Sequence, residues 1–341
     1  MHYLITGHTG FKGSWLAQLL VAQGHQVSGV ALQPGQHDLF STANLSEIFV
    51  NDFRQDVRDF EALEKILNTI NPDVLIHFAA QPLVLESYRD PVGTYETNVN
   101  GTLNVLRASD QMESLKARLI ITTDKVYRNS GKTTGYIESD SLGGVDPYSA
   151  SKAMADILTQ SWSTTSTGSP IAIARAGNVI GGGDFSKDRI FTDAVQSFVK
   201  DVKLELRSPS SVRPWQHVLD CLSGYLSIVD SLLMKPTGAT WNIGPSSSSY
   251  KNVREIMHLA ELSWGKKLDI LEVESQYVET SHLTLDSSQA NKLLSWKSTW
   301  NLETTVDRTI QWYKKNSLGV SPRVLCDEDI SEFLTKTKSD V

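Results

Sequence analysis

The chain has 341 residues, of which 40% are hydrophobic and 21% charged, a composition that excludes a disordered polymer, a collagen or a disulfide-dense miniprotein and allows a large buried core. Its 32 basic residues face 39 acidic ones, a formal charge of -7, and no stretch gathers the basic cluster that a nucleic-acid partner wants. The only cysteines, Cys221 and Cys326, lie far apart and outside any CxxC pattern, so neither a disulfide framework nor a thiolate metal site is expected and a reducing cytoplasm is the default.

The sequence opens on the strand-like His2-Tyr3-Leu4-Ile5-Thr6 without a basic leader, and no apolar run approaches about 18 residues, so neither export nor a membrane span is expected. Short apolar runs then alternate with helical periodicity. Strands are read at 3–6, 26–32, 74–79, 118–122 and 171–174, with helices between them at 12–23, 60–69, 93–112 and 147–163. This βαβ series predicts an α/β fold, a Rossmann-type doubly wound parallel sheet whose ligands sit beyond the carboxyl ends of the strands. After residue 175 the order loosens into Gly181-Gly182-Gly183, a helix at 191–200, a loop around Pro209 and the run Pro245-Ser246-Ser247-Ser248-Ser249, followed by helices at 253–264 and 302–315. These read as a second, smaller lobe, and the charged stretch after Leu318 reads as a weakly held end.

The segment Gly7-His8-Thr9-Gly10-Phe11-Lys12-Gly13 joins the first strand to the first helix. Glycines there let the backbone approach a pyrophosphate, and the amides and positive end of the helix hold it. The acid expected about 20 residues on, to bind the ribose hydroxyls, is missing: the second strand ends Val30-Ala31-Leu32-Gln33 and the next acid is Asp38. Lys12 adds a positive charge near the phosphates, so NAD and NADP are not separated on this ground. Asp56-Val57 is either an adenine contact or a helix cap.

Tyr148 and Lys152 stand four residues apart, one above the other on a helix that opens after Asp146-Pro147. A lysine cation and a positive nicotinamide favour phenolate and so bring the phenol, ordinarily near 10, toward neutrality. The fourth strand ends Thr122-Thr123-Asp124-Lys125, which sets the Thr123 hydroxyl and the Asp124 carboxyl at the sheet edge where substrate should lie.

Together, Thr-Gly-x-x-Gly-x-x-Gly, Tyr-x-x-x-Lys and a strand-end threonine resemble the extended short-chain dehydrogenase/reductases over residues 1 to about 315. More narrowly, the blocks Thr6-Gly7-His8-Thr9-Gly10-Phe11-Lys12-Gly13-Ser14-Trp15-Leu16, Ala79-Ala80-Gln81-Pro82-Leu83-Val84, Leu142-Gly143-Gly144, the run from Ala174 to Asp184 and Arg213-Pro214-Trp215-Gln216-His217-Val218 resemble the CDP-glucose branch of the nucleotide-sugar 4,6-dehydratases. The resemblance implies a redox cycle closed within one site: oxidation at C4 by bound NAD, loss of water across C5 and C6, and return of the hydride to C6. It gives Tyr148 the C4 hydroxyl proton, Thr123 a hydrogen bond to the same oxygen, Lys152 the ribose, and Asp124 the role of acid for the C6 hydroxyl. Lys125 is the first candidate for the C5 base, a role left open.

The resemblance also implies dinucleotide contacts from Gly7, Thr9, Gly10, Phe11, Lys12, Gly13, Asp56, Val57, Phe78, Ala79, Ala80, Gln81, Asn98, Thr122, Tyr148 and Lys152. Sugar-nucleotide contacts are expected from Gln81, Asn178, Arg189, Arg213 and His217, although a structural role suits His217 better. On this reading residues 1–177, with roughly 214–243 returning to the sheet, bind the dinucleotide. Residues 178–213 and 244–320 form the nucleotide-sugar lobe and 321–341 the tail. The expected partners are a nucleotide sugar and a second copy or copies of the chain, as dimer or tetramer. Other nucleotide sugars, and epimerisation in place of dehydration, stay open, and the setting is deoxysugar assembly of the O-antigen kind.

Overall fold

The apolar runs pair as a parallel sheet requires. In the computed structural model, which describes residues 1–132, 134–186, 189–273 and 283–339, a 7-stranded sheet holds β1 (His2–Thr6), β2 (Gln26–Ala31), β3 (Asn51–Arg54), β4 (Val74–His77), β5 (Ala117–Ile121), β6 (Ile171–Ala176) and an edge strand, Thr240–Ile243. All pairs are parallel, and the spatial order is 3-2-1-4-5-6 followed by the edge strand. The chain leaves β1 toward both sides, so the ligand crevice of a doubly wound fold opens between β1 and β4.

Every residue of β4 and β5 is buried, as expected of strands covered on both faces. Alternation still sorts their side chains. Leu4 and Leu75 pack with Leu63, Leu67 and Val105 on one face, while Tyr3, Ile5, Val74 and Ile76 join Leu16, Leu20, Leu222 and Ile228 on the other. A separate apolar cluster, Phe191, Phe198, Trp215, Ile256, Met257, Val306 and Ile310 among it, forms the core under the helices Ile190–Lys200, Val253–Trp264 and Leu302–Ser317.

Three features depart from the periodicity. β3 and the edge strand Thr240–Ile243 were not among the expected strands; both lie at the sheet's margins, and β3, Asn-Asp-Phe-Arg, is half-buried throughout. The helix expected at 93–112 is broken: Pro91–Tyr95 and Gly101–Ser109 are joined by a wide π turn, Glu96–Asn100. The segment after Leu318, far from being weakly held, is a helix, Pro322–Ser339. It buries Leu325, Cys326, Ile330 and Phe333 against the first helix, Phe11–Ala22, and against Leu302–Ser317. Charges on its outer face hid this apolar stripe.

Candidate active site

β1 ends at Thr6 and the chain turns on Gly7, whose φ of +74° favours glycine and whose Cβ would lie 2.7 Å from the Ala79 nitrogen. A Cβ on Gly13 would lie 2.4 Å from the Gly7 carbonyl oxygen. The first helix starts at Gly10 with no side-chain cap, leaving its first amides for an anion. This loop therefore fits the diphosphate of a dinucleotide. Thr9 Oγ1 donates to the Leu32 carbonyl (3.2 Å), tying the loop to the end of β2 where the ribose acid is missing. Arg54, opposite Ala31 in the register, pairs with Asp52.

Asp56 accepts from Arg58 Nη2 (2.7 Å), Nε (2.9 Å) and backbone nitrogen (2.9 Å), which holds its carboxyl below the usual range. Asp59, not Asp56, caps the next helix, Phe60–Ile70, and Val57 is buried. Phe78, Ala79 and Ala80 leave the sheet after β4. The Ala79 amide donates to Thr6 Oγ1 (3.3 Å), which lies 2.6 Å from Nδ1 of the buried His77. Burial lowers His77 to about 3 and keeps it neutral. Its Nε2 is 3.1 Å from Thr102 Oγ1, which donates to the Asn98 carbonyl (2.7 Å). Asn98 sits in the π turn: its Oδ1 accepts from the Gln81 amide (2.8 Å), and its Nδ2 donates to Ser151 Oγ (2.9 Å) on the candidate catalytic helix, Pro147–Thr165. Gln81 spends its own amide on Leu83 and Thr94, so its side chain fastens this loop.

This candidate catalytic helix begins at Asp146, which accepts the Ser149 amide (2.9 Å), with Pro147 in its first turn. Asp156 accepts from Thr122 Oγ1 (3.0 Å) and from Arg175 Nη2 (2.7 Å) and Nε (2.8 Å), a buried ion pair that pins this helix to β5 and β6. Burial pushes the Tyr148 phenol up to about 12; the Thr123 hydroxyl and the Arg189 charge pull the other way, while Asp124 and Asp146 reinforce the rise. The expected descent toward neutrality is thus not met by the side chains present. Lys152 donates through its ammonium to the Ile121 carbonyl (2.8 Å). Burial lowers this lysine to about 8, with Asp156 opposing and Lys12 assisting.

Thr123 Oγ1 donates to Asp124 Oδ1 (3.0 Å) and accepts, at 3.4 Å, the amide of the half-buried Lys125. Asp124 is 3% exposed, and its Oδ2 has no hydrogen-bond partner. A Cβ on Gly177 would lie 2.9 Å from that oxygen, so the absence of a side chain leaves it room. Burial raises the Asp124 carboxyl against the opposing pull of Lys125, Thr123, Arg213 and Lys12.

Thr123, Asp124 and Lys125 are joined by hydrogen bonds, and the charges of Lys125 and Arg213 act on Asp124 as those of Arg189 and Asp124 act on Tyr148, which puts these residues in one electrostatic neighbourhood; Lys152 lies one helical turn beyond Tyr148. Arg189 also pairs with Asp184 at 3.7 Å, and Asn178 holds the adjoining strand through its carbonyl and the Gln216 amide (3.3 Å). His217 does not join them. It is fully buried, its ring 4.5 Å from Trp300 and 6.0 Å from Trp15, and its Nδ1 accepts the Leu219 amide (3.2 Å) at the start of the helix Val218–Met234. The substrate contact expected of this imidazole is replaced by a helix cap. Sequence reasoning missed His77 and the buried Tyr225, whose hydroxyl lies 3.4 Å from Lys12 Nζ and whose ring lies 5.9 Å from Phe78; each stands in an apolar run that gives no polar pattern to find it by.

The family described as GDP-mannose 4,6 dehydratase matches residues 4–309. The CDP-glucose 4,6-dehydratase of Salmonella typhimurium is 38% identical, over 98% of this chain and 96% of that protein. The UDP-glucose 4-epimerase of Halalkalibacterium halodurans is 24% identical over 94% of this chain and 98% of that one. Among solved structures, dTDP-glucose 4,6-dehydratase from Bacillus anthracis in complex with NAD superposes with a TM-score of 0.81 at 24% identity, covering 93% of this chain and 98% of the other. With the family match spanning the sheet, the catalytic helix and most of the second lobe, this chain belongs to the GDP-mannose 4,6 dehydratase family.

Proposed function

We propose that this chain is an NAD-dependent 4,6-dehydratase that converts CDP-glucose to CDP-4-keto-6-deoxyglucose. The observation that carries the reading is Asp124: a buried carboxyl with an unpartnered oxygen, next to Thr123 and across the crevice from Tyr148. Oxidation alone has no use for such an acid, whereas loss of water needs one. The neighbouring Lys125 and the 38% identity to a CDP-glucose enzyme favour that nucleotide.

The uncapped helix start and Gly7 hold the dinucleotide diphosphate, and Lys152 the ribose. When bound, the dinucleotide supplies the hydride acceptor at C4 and the hydride donor at C6. Its positive oxidised ring is the further charge that the Tyr148 phenol needs to ionise. Tyr148 then takes the proton of the C4 hydroxyl while Thr123 hydrogen-bonds the same oxygen. The ketone acidifies the C5 proton, which a base removes; Lys125 is the candidate, its ammonium otherwise steadying the enolate. Asp124 gives its proton to the C6 hydroxyl, the C6–O bond breaks and water leaves. Hydride return to C6 and reprotonation at C5 complete the ketone and restore the enzyme.

Arg213 and Arg189 bind the sugar diphosphate, and the lobe built on Phe191 and Trp215 carries the nucleotide. Exposed Met154 and Ile157 on the catalytic helix meet a second copy. The reduced, buried Cys221 and Cys326 suit a reducing cytoplasm. Incubation with CDP-glucose followed by alkali tests the reading: the 4-keto-6-deoxy product absorbs in the near ultraviolet. Inversion at C4 with no ketone would make the chain an epimerase, and activity only with GDP-, dTDP- or UDP-hexoses would move the nucleotide assignment.

A further inference from the structure

Asp156 follows Lys152 by one turn on the helix Pro147–Thr165, so Tyr148, Lys152 and Asp156 lie along one stripe of it. The last two meet neighbouring residues of the same strand. Lys152 Nζ donates to the Ile121 carbonyl at the end of β5 (2.8 Å), and Thr122 Oγ1, on the next residue, donates to Asp156 Oδ2 (3.0 Å). From β6, Arg175 Nε and Nη2 donate to the two Asp156 oxygens (2.8 and 2.7 Å), and Gln160 Nε2 adds a bond to Oδ1 (2.7 Å). Arg175 is itself fixed, its Nη1 donating to Tyr127 Oη (2.9 Å) and to the Glu138 carbonyl (3.0 Å). Lys152, Asp156 and Arg175 are all buried, so a single carboxylate serves two cations where little water screens them.

Burial favours the neutral amine at Lys152; Asp156 opposes it, and Lys12, from the first helix, assists it. The other titratable groups about the crevice are the neutral His77 on β4, Tyr148 on the same helix, and Asp124 and Lys125 beyond β5. A neutral amine would have neither the third donor nor the charge of an ammonium. We propose that Asp156 is a positioning residue for the reaction: fixed by Arg175 and Thr122, its carboxylate keeps Lys152 an ammonium seated against the Ile121 carbonyl. On the dehydratase reading, on which this inference rests for its purpose, that ammonium holds the ribose and lends its charge to the Tyr148 phenolate.

The test needs no substrate. A full chain carrying lysine labelled with carbon-13 at Cε reports the charge of Lys152 by NMR, its signal identified by its loss in Lys152→Met. In Asp156→Asn, which keeps an acceptor for Thr122, the midpoint of the Lys152 titration falls by about one pH unit, and the descending limb of kcat/KM for sugar nucleotide moves down with it. Asp156→Glu, which keeps the charge, holds the midpoint near that of the unaltered chain. An unchanged midpoint in Asp156→Asn overturns the proposal, as does an equal fall in Asp156→Glu. So does a loss of kcat/KM that is the same at every pH, which would make Asp156 a structural tie only. If Asp156→Asn does not fold because Arg175 is left without a counter-charge, Asp156→Asn combined with Arg175→Met strands no charge; the midpoint must fall there too, and an unchanged one is equally fatal. Failure of the dehydratase reading is separate: it shows as no ketone from CDP-glucose with the unaltered chain, whatever the midpoint.

Discussion

At Asp124 two opposing influences meet. Burial favours the neutral acid, while Lys125, Thr123, Arg213 and Lys12 favour the carboxylate, and burial prevails. A raised carboxyl retains its proton to higher pH and has one to give. Asp124→Asn keeps the shape and loses that proton. Hydride removal from C4 should then survive, seen as near-ultraviolet absorbance of reduced cofactor building up in a single turnover, while the 4-keto-6-deoxy product falls by about 10²–10⁴-fold. Normal turnover in this variant would remove the acid assignment. Lys152 carries a pH signature: lowered to about 8, it loses its charge at a lower pH than an ordinary lysine. The kcat/KM for sugar nucleotide should decline as pH rises through about 8, and a flat profile to pH 10 would detach Lys152 from the reaction. Of these residues Thr123, Asp124, Tyr148 and Lys152 were legible because strand ends and helical spacing bring them to one edge. The inward turn of Lys12 was not, since its partner stands 213 residues away and only tertiary packing joins them.

Among the elements, the helix Val218–Met234 carries an electrostatic cost that can be measured. Asp220, in its first turn, is buried, and burial pushes it up to about 7; it accepts the Thr299 (2.5 Å) and Trp300 (3.4 Å) amides from the segment before Leu302–Ser317. A carboxyl whose folded pKa is raised contributes stability that is complete below its unfolded value near 4 and lost as pH rises to about 7. Asp220→Asn has no charge to bury; its single oxygen keeps the Thr299 amide and gives up the longer bond from Trp300, a loss that is the same at every pH. Its Tm relative to the unaltered chain should therefore be higher at pH 8 than at pH 4.5, and a difference of the opposite sign would show that Asp220 stays ionised throughout. The helix that bears Tyr148 and Lys152 was legible from its cap and apolar spacing, at Asp146-Pro147. The π turn was not: within it Asn98 bonds both Gln81 and Ser151, contacts that helical periodicity does not encode.

For the whole molecule, two surfaces decide how the parts are held. Met154 and Ile157 are 47% and 52% exposed on the catalytic helix, an apolar face that a second copy would cover. If the proposed homo-oligomer forms through this face, Met154→Asp combined with Ile157→Asp should leave a monomer in light scattering, and an unaltered mass would move the interface elsewhere. The other surface is internal. Phe333 of the last helix is 1% exposed, its ring 5.3 Å from Trp300, and Phe333→Ala should cost about 3–5 kcal/mol, read from denaturant unfolding. The doubly wound order was legible from alternating strands and helices, while the terminal helix escaped because its apolar residues are diluted by charge.

The helix Pro322–Ser339 rests on Phe11–Ala22, whose uncapped first turn is the proposed diphosphate site, so an element made early in this sequence is covered by one made far downstream. A nascent chain therefore retains an uncovered apolar stripe on Phe11–Ala22 until Pro322–Ser339 has been made, and quality-control chaperones have that whole interval in which to act.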